Sequence, residues 1–212
     1  DNASYNGLYG HRNFEIGDED LSHPNYNLVE GNRLGFAGVN PGNAGSMNLD
    51  LQTPKNIARY NFVYGAMNSG LDFKSVSGST SGGVDNRVYN NTSYHNGYGW
   101  NPAAYGGKNI TYNGEGIAQY SPGGLPTGNV IKNNLVYDNK QGDICQIGLH
   151  TSCTPAPYDT VINNWVTTNG NPLFTNPALT DPTSQNLFSS VHGYAATPIP
   201  NLSLQASSPV ID

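Results

Sequence analysis

Two short segments, MNLDLQ and GLDFKSV, carry the residues with the most specific chemistry. Written as strands, they align on a shared Leu-Asp pair that places Asp50 above Asp72 and Gln52 above Lys74. Because side chains alternate along a strand, the leucines point inward and these four residues point outward. Two carboxylates stacked about 5 Å apart repel each other unless a cation lies between them. Hard oxygen ligands suit calcium, so Asp50 and Asp72 are predicted metal ligands.

Lys74 lies beside this predicted cation, which is the arrangement that β-elimination of a uronic acid requires. The cation neutralises the carboxylate of the sugar and acidifies the neighbouring C–H, and a lysine with a lowered pKa removes the proton. Lys74 is therefore the predicted catalytic base, and Gln52 is a predicted substrate contact. The alternative is a structural pair of Asp72 and Lys74 on the surface, worth less than about 1 kcal/mol.

Aromatic residues crowd a Gly-rich stretch in the middle of the chain. Tyr98, Trp100 and Tyr105 are predicted to bind substrate, because aromatic rings on a groove stack on sugars. The same rings could instead cover exposed core. His95 and His150 are isolated in the sequence, and a structural role is predicted for both.

The two cysteines, Cys145 and Cys153, lie eight residues apart. In an oxidising compartment they could close a small disulfide, and two free buried thiols are the alternative.

The net charge is −6 with only nine Lys and Arg. No basic cluster exists, so nucleic acid is not an expected partner. No apolar run approaches the roughly 20 residues of a membrane span.

Five segments repeat one pattern, and an Asn marks each of them. The marker residues are Asn32, Asn61, Asn91, Asn134 and Asn164, at spacings of 29, 30, 43 and 30 residues. Apolar residues recur three before and two after the marker, so each segment reads as strand, Asn turn, strand. Stacked coils would place the Asn side chains in one hydrogen-bonded column. A β-sandwich with accidental Asn spacing is the alternative.

This register predicts an all-β chain folded as a right-handed parallel β-helix. Residues 1–212 are expected to form one domain, with a loop excursion at about 97–128 and a closing tail at about 171–212. The register also pairs Glu30 with Arg59 on adjacent coils. It predicts a tyrosine column at Tyr64, Tyr94 and Tyr137, and a second Asn column at Asn96, Asn139 and Asn169.

The segments NRVYNNTSYHNG and GNVIKNNLVYDN resemble the coils of the pectate-lyase-like family of right-handed β-helix proteins. The ending NPLFTNP followed by LSLQASSPVID resembles the closing segment of secreted bacterial members, and DFKS resembles the lysine-bearing strand of polysaccharide lyase family nine. The resemblance implies secretion and a calcium-assisted lysine base. Family members usually begin with a capping helix, and residues 1–20 contain no such pattern.

Two functional classes follow from these observations. The first is a secreted polysaccharide-active enzyme, a calcium-assisted lyase that cleaves an acidic glycan. The second is a non-catalytic extracellular protein, structural, adhesive or filament-forming, whose open coil ends pair with neighbours. Because no capping helix is visible, self-association through residues 1–30 is expected, or a preceding segment has been lost from this chain.

Overall fold

The structure is a computed structural model of the chain. It describes residues 3–5, 12–17, 26–35, 37, 47–66, 68–74, 82–98, 114–120, 127–147, 153, 159–177 and 200–211.

The described residues form short β-strands. They are β1 (Ala3–Tyr5), β2 (Arg12–Ile16), β3 (Leu28–Glu30), β4 (Arg33–Gly35), β5 (Met47–Leu51), β6 (Ile57–Arg59), β7 (Phe62–Tyr64), β8 (Leu71–Lys74), β9 (Arg87–Tyr89), β10 (Thr92–Tyr94), β11 (Glu115–Tyr120), β12 (Val130–Lys132), β13 (Leu135–Tyr137), β14 (Gly142–Ile147), β15 (Thr160–Ile162), β16 (Trp165–Val166), β17 (Phe174–Asn176) and β18 (Asn201–Leu204).

Three parallel sheets run along the molecule, and every third strand joins the same sheet. Sheet A has the order β1-β4-β7-β10-β13-β16, sheet B has β2-β5-β8-β11-β14, and sheet C has β3-β6-β9-β12-β15. Each turn of the chain therefore adds one strand to each sheet. This is a parallel β-helix, so the predicted fold class is confirmed.

The corners between the strands share one backbone device. The residue before each marker Asn has a positive φ, between 52° and 69°. These residues are Gly31, Tyr60, Asn90, Asn133 and Asn163. A single left-handed residue bends the chain sharply between two extended strands, and Gly and Asn adopt that conformation at the least cost. Four of these five corner residues are Gly or Asn.

The predicted column of marker asparagines is confirmed. In each rung from Asn32 to Asn134, the backbone N–H and side-chain Nδ2 donate to Oδ1 of the next Asn at 2.9–3.0 Å. Asn61 Nδ2 also donates to the carbonyl of Val29 in the coil before, and the later rungs repeat this bond. The column thus satisfies polar backbone groups that the corner would otherwise bury unpaired.

The long interval between Asn91 and Asn134 does not interrupt the stack. The two side chains bond directly at 3.0 Å, although 43 residues separate them. The extra residues therefore leave and rejoin the helix within one coil. The two ends of this detour lie close together, since a Cβ built on Gly114 would be 3.1 Å from the Cα of Gly97.

Apolar side chains from all three sheets fill the interior. The main cluster includes Leu49, Leu71, Val88, Ile117 and Ile131, all fully buried. At the equivalent place in β10, Ser93 replaces an apolar residue. Its hydroxyl donates to the carbonyl of Gly116 at 2.7 Å, which satisfies this buried polar group. The described core is therefore mainly apolar, and the Ser93 hydroxyl within it is hydrogen-bonded.

The tyrosine column lies on sheet A, as predicted, and the C-terminal part packs on it. Tyr64, Tyr94 and Tyr137 are neighbours in register, and Phe174 meets Tyr94 edge-on at 5.2 Å between ring centroids. Strands β17 and β18 pair antiparallel and join none of the three parallel sheets. The sequence indicated a last strand that seals the stack. The described part of the tail instead packs against sheet A.

Two smaller register predictions have different outcomes. Arg59 and Glu30 form the predicted pair across adjacent coils, with Nε to Oε1 at 3.1 Å. Asn96 and Asn139 also bond, at 2.8 Å. Asn169 does not continue that column, because its Oδ1 accepts the backbone N–H of Val166 inside a short 3-10 turn.

Within the described residues, no helix is long and apolar enough to cross a membrane.

Candidate functional site

The predicted metal ligands lie side by side on sheet B. Asp50 of β5 and Asp72 of β8 are register partners on neighbouring strands, and Leu49 pairs with Leu71 beside them. The leucines belong to the core cluster. By alternation, the two carboxylates therefore lie on the opposite face of the sheet. The alignment of the two segments predicted this register correctly.

The environment of the two carboxylates differs from the expectation. Asp50 is 0% exposed and Asp72 is 1% exposed, so neither carboxylate is open to solvent on the outer face. Alternation within each strand predicted that both side chains point out of the core. It does not predict whether other parts of the chain cover that outer face of the sheet.

A third carboxylate continues the same row. Glu15 of β2 is the register partner of Asp50, and the side chain of Gln52 connects the two. Gln52 Nε2 donates to Asp50 Oδ2 at 2.8 Å and also to Glu15 Oε1. The structure therefore places Gln52, a predicted substrate contact, as a buried bridge between two acids. Glu15 itself is exposed, and sequence reasoning had not included it.

Lys74 ends β8, two residues after Asp72, and the same alternation places both on one face. Its side chain is half-buried. The backbone around Gly83 lies against the main chain of Lys74, where an added Cβ would meet the Lys74 amide nitrogen at 3.0 Å. The Gly83 N–H donates to the Gln52 carbonyl. The row of acids, Gln52 and Lys74 thus occupy one region of sheet B.

The chemistry of the row suits a hard cation, because Asp50 and Asp72 offer carboxylate oxygens at neighbouring positions. The number of ligands is small. Within the described residues, no group of three or more His, Cys, Asp or Glu side chains is arranged to hold a metal ion.

The predicted aromatic contacts are only partly covered by the structure. Trp100 and Tyr105 lie outside the described residues. Tyr98 is described, and its hydroxyl donates to Asp138 Oδ1 at 2.8 Å. Its ring stacks on the His95 ring, with 4.0 Å between centroids and 10° between planes.

His95, predicted to be an isolated structural residue, belongs to a polar network. Its Nδ1 lies 2.7 Å from Asp138 Oδ2. Burial tends to raise the pKa of Asp138, but the hydrogen bonds from His95 and Tyr98 and the charge of His95 outweigh it. The net effect is a lowered pKa for Asp138. The pKa of Tyr94, which packs beside His95, is raised to about 12 by burial and by the charge of Asp138.

A buried acid occupies the start of β11. Glu115 is 3% exposed, and its Oε2 accepts a hydrogen bond from the Ser69 hydroxyl at 2.9 Å. Burial raises the pKa of Glu115, and this bond opposes the rise only partly. The sequence gives no repeat position for Glu115, because it lies within the predicted excursion at about 97–128.

Cys145 and Cys153 form a disulfide in the structure. The bond lies near the C-terminal end of the stack, beside an open cavity of about 400 Å³. Val161 and Val166 line this cavity and are only partly buried, whereas Val29 and Leu34 at equivalent positions are fully enclosed. Among the described residues, the core is therefore less buried at this end.

A further column, built from asparagines and one aspartate, was visible in the sequence but was not predicted. Asn27, Asn56, Asn86 and Asn129 begin four of the repeated segments, and each backbone N–H donates to the side chain of the next rung. The last rung is Asp159. The pattern that was missed is that four of the five segments begin with Asn.

No family model matches the chain, and comparisons with curated proteins and with solved structures also give no match.

Proposed function

We propose that this protein is secreted and acts on an acidic polysaccharide, cleaving it by β-elimination with the help of a calcium ion. The observation that carries the proposal is the row of acids on sheet B. Asp50 and Asp72 are adjacent and buried, and Lys74 lies two residues beyond Asp72 on the same strand face. A counter-charge beside two such carboxylates lowers their mutual repulsion. The parallel β-helix and its likeness to pectate-lyase-like coils support the same class of substrate.

Each residue has a defined role in this proposal. Asp50 and Asp72 would hold the ion, and Gln52 would fix Asp50 through its hydrogen bond. The ion would neutralise the uronate carboxylate and acidify the neighbouring C–H. Lys74 would accept that proton as the general base.

The proposed location outside the cell rests on the disulfide. Bonds such as Cys145–Cys153 form and persist in oxidising compartments and are rare in reducing ones. Polymeric substrates of this kind are also met outside the cell. The polysaccharide partner and the secreted location support each other.

The proposal is tested with a panel of uronate-containing and neutral glycans. Cleavage by elimination leaves a carbon–carbon double bond in the product, which is followed by ultraviolet absorbance. We expect turnover on at least one acidic glycan, loss of turnover after chelation, and recovery when calcium is restored. Turnover that is unaffected by chelation would remove calcium from the proposal, and no turnover on any acidic glycan would refute the enzyme.

A second candidate is a non-catalytic extracellular coil stack that is structural, adhesive or filament-forming. The observation that favours it is the edge strands at the ends of the described helix. Strands β1, β2 and β3 each pair with one neighbour only, as do β14, β15 and β16. Such edges present backbone groups to which another chain can add. The N-terminal strands lie within residues 1–30, where self-association is expected.

A further inference from the structure

The repeated corner brings a histidine and an acid together from distant parts of the sequence. His95 and Asp138 are the left-handed residues at equivalent corners of two neighbouring coils, with φ of 54° and 55°. The next residues, Asn96 and Asn139, bond to each other. Two side chains that leave successive corners at the same place lie one above the other. The 43-residue separation therefore becomes a direct contact at 2.7 Å.

The imidazole of His95 is fixed on several sides. Asp138 Oδ2 bonds to Nδ1, and Asp138 Oδ1 accepts a bond from the Tyr98 hydroxyl. The Tyr98 ring stacks on the imidazole at 4.0 Å, and Tyr94 lies against it at 5.6 Å. Asp138 is thus held by two donors, and the ring plane is set by Tyr98. Side-chain exposure is 18% for His95 and 37% for Asp138, so the pair reaches the surface.

The bond to Asp138 determines what the other ring nitrogen can do. An ionised carboxylate accepts a hydrogen bond from Nδ1–H, which leaves the lone pair of a neutral imidazole on Nε2. Nε2 has no hydrogen-bond partner among the described residues. When a carboxylate orients an imidazole in this way, the histidine can act as a general base through its other ring nitrogen.

A cation lies on the same corner. Lys140 follows Asp138 by two residues and is exposed, and its backbone N–H donates to the Asn96 carbonyl at 3.0 Å. Within the described part of the chain, no acidic side chain pairs with it. A proton acceptor and a cation on one corner match a sugar that carries a carboxylate next to an acidic C–H.

We propose that His95 is a catalytic general base for an acidic sugar bound at this corner, with Asp138 and Tyr98 as positioning residues and Lys140 as the contact for the sugar carboxylate. The proposal rests on the acidic substrate of the proposed function. In this proposal His95 replaces Lys74 as the acceptor of the proton, so the substitutions below decide between the two residues.

The chemical step balances without a further reactant. Nε2 of His95 takes the proton from the carbon that bears the carboxylate. The electron pair of that C–H bond forms a carbon–carbon double bond, and the bond to the leaving glycosidic oxygen breaks. The leaving oxygen takes a proton from water, and the imidazolium returns its proton to the hydroxide formed.

Substitution tests the roles on the glycan that wild type cleaves. His95→Asn keeps a residue that tolerates a positive φ and an N–H that can reach Asp138, but it removes Nε2. We expect kcat to fall about 100-fold or more. Lys140→Ala should raise KM with kcat little changed, and Lys132→Ala on sheet C is the matched control. A His95→Asn variant that stays within threefold of wild type, while Lys74→Ala is inactive, would overturn the His95 site and leave the proposed function intact.

A positioning role for Asp138 and Tyr98 is tested by a measurement that a loss of folding stability alone would not change. Asp138→Asn should lower kcat with KM little changed and should move the His95 proton toward Nε2, as seen in the ¹⁵N chemical shifts of the ring. Tyr98→Phe should lower kcat less. Tyr137→Phe, whose ring packs nearby on Tyr94, is the control. An unchanged tautomer in Asp138→Asn would overturn the positioning role.

A measurement on wild type separates this proposal from the proposed function. Diethyl pyrocarbonate modifies an accessible imidazole lone pair, and mass spectrometry of peptides identifies the residue. We expect His95 to be modified at least as fast as N-acetylhistidine at the same pH. If no glycan is cleaved, the proposed function fails, and slow modification of His95 would then overturn the base as well. Fast modification would still support an open base at this corner.

Discussion

The carboxylate of Asp159 accepts the backbone N–H of Asn129 at 2.9 Å and so takes the last rung of a column that is otherwise built from asparagine. Its other oxygen, Oδ2, is buried without a hydrogen-bond partner. Burial raises the pKa of Asp159 to about 6. An ionisable group therefore stands where the other rungs use a neutral amide.

This rung predicts a pH-dependent stability. In the unfolded chain Asp159 ionises near the ordinary aspartate pKa of 3.8, whereas the folded chain keeps the proton up to a pKa of about 6. Because the folded state binds more protons between these values, the free energy of unfolding falls as pH rises through this window and then levels off. Asp159→Asn should remove that slope and be more stable than wild type at pH values above the window. Urea denaturation on both sides of the window measures it.

Asp85→Asn is the matched control for this experiment. It makes the same change at an exposed aspartate, one residue before the rung Asn86, and should leave the slope in place. An Asp159→Asn variant with the same pH profile as wild type would contradict the assignment.

The column of marker asparagines should contribute more to stability than the column that includes Asn86. Asn91 accepts two hydrogen bonds and donates two from Nδ2, whereas Nδ2 of Asn86 is buried without a partner. Asn91→Ala should cost about 1–3 kcal/mol because it leaves buried groups unpaired. Asn86→Ala should cost less. Urea denaturation of both variants checks this, and equal losses would show that the side-chain amide bonds add little.

The column was predictable from sequence because the corner imposes one requirement at every coil. Each marker Asn must accept from the rung before and donate to the coil before, so its spacing survives even across the excursion to Asn134. Burial of Asp50 and Asp72 was not predictable, since alternation along a strand identifies a face of the sheet but not what covers that face. The contact between His95 and Asp138 follows from the same corner rule. It was missed because the residues that precede Asn96 and Asn139 differ in type.

Lys74 should be required for turnover if catalysis occurs on sheet B. Lys74→Ala removes the proposed base and should abolish cleavage while glycan binding and the melting temperature stay close to wild type. Asp72→Asn should first raise the calcium concentration needed for activity, because it removes one charge from the ion site. Lys132→Ala is the control. A fully active Lys74→Ala variant would exclude the lysine mechanism.

The disulfide should be complete in protein from an oxidising compartment. Alkylation without reduction, followed by intact-mass analysis, is expected to show no modified thiol. Cys145→Ser together with Cys153→Ser should lower the free energy of unfolding by about 2–3 kcal/mol, as the chain-entropy relation gives for a short loop. Two alkylated cysteines in the untreated protein would refute the bond in solution.

Edge strands at the N-terminal end predict self-association that grows with concentration. Leu28 is 52% exposed on the edge strand β3, and Leu28→Lys places a charge there that disfavours pairing with another chain. We expect light scattering to show a lower mean mass for this variant than for wild type. Ile162→Lys at the opposite end distinguishes the geometry, since only head-to-tail association would respond to it as well. A wild-type monomer at all concentrations would contradict the expectation.

The direct bond between Asn91 and Asn134 uncouples the length of the intervening loop from the pitch of the solenoid. The entropy of closing a loop grows only with the logarithm of its length, so residues added or removed between Gly97 and Gly114 should change folding stability little. The stretch between Gly97 and Gly114 is therefore a place where a binding segment can be inserted or replaced while the β-helix stays the same. Such a segment would begin two residues after His95 along the chain.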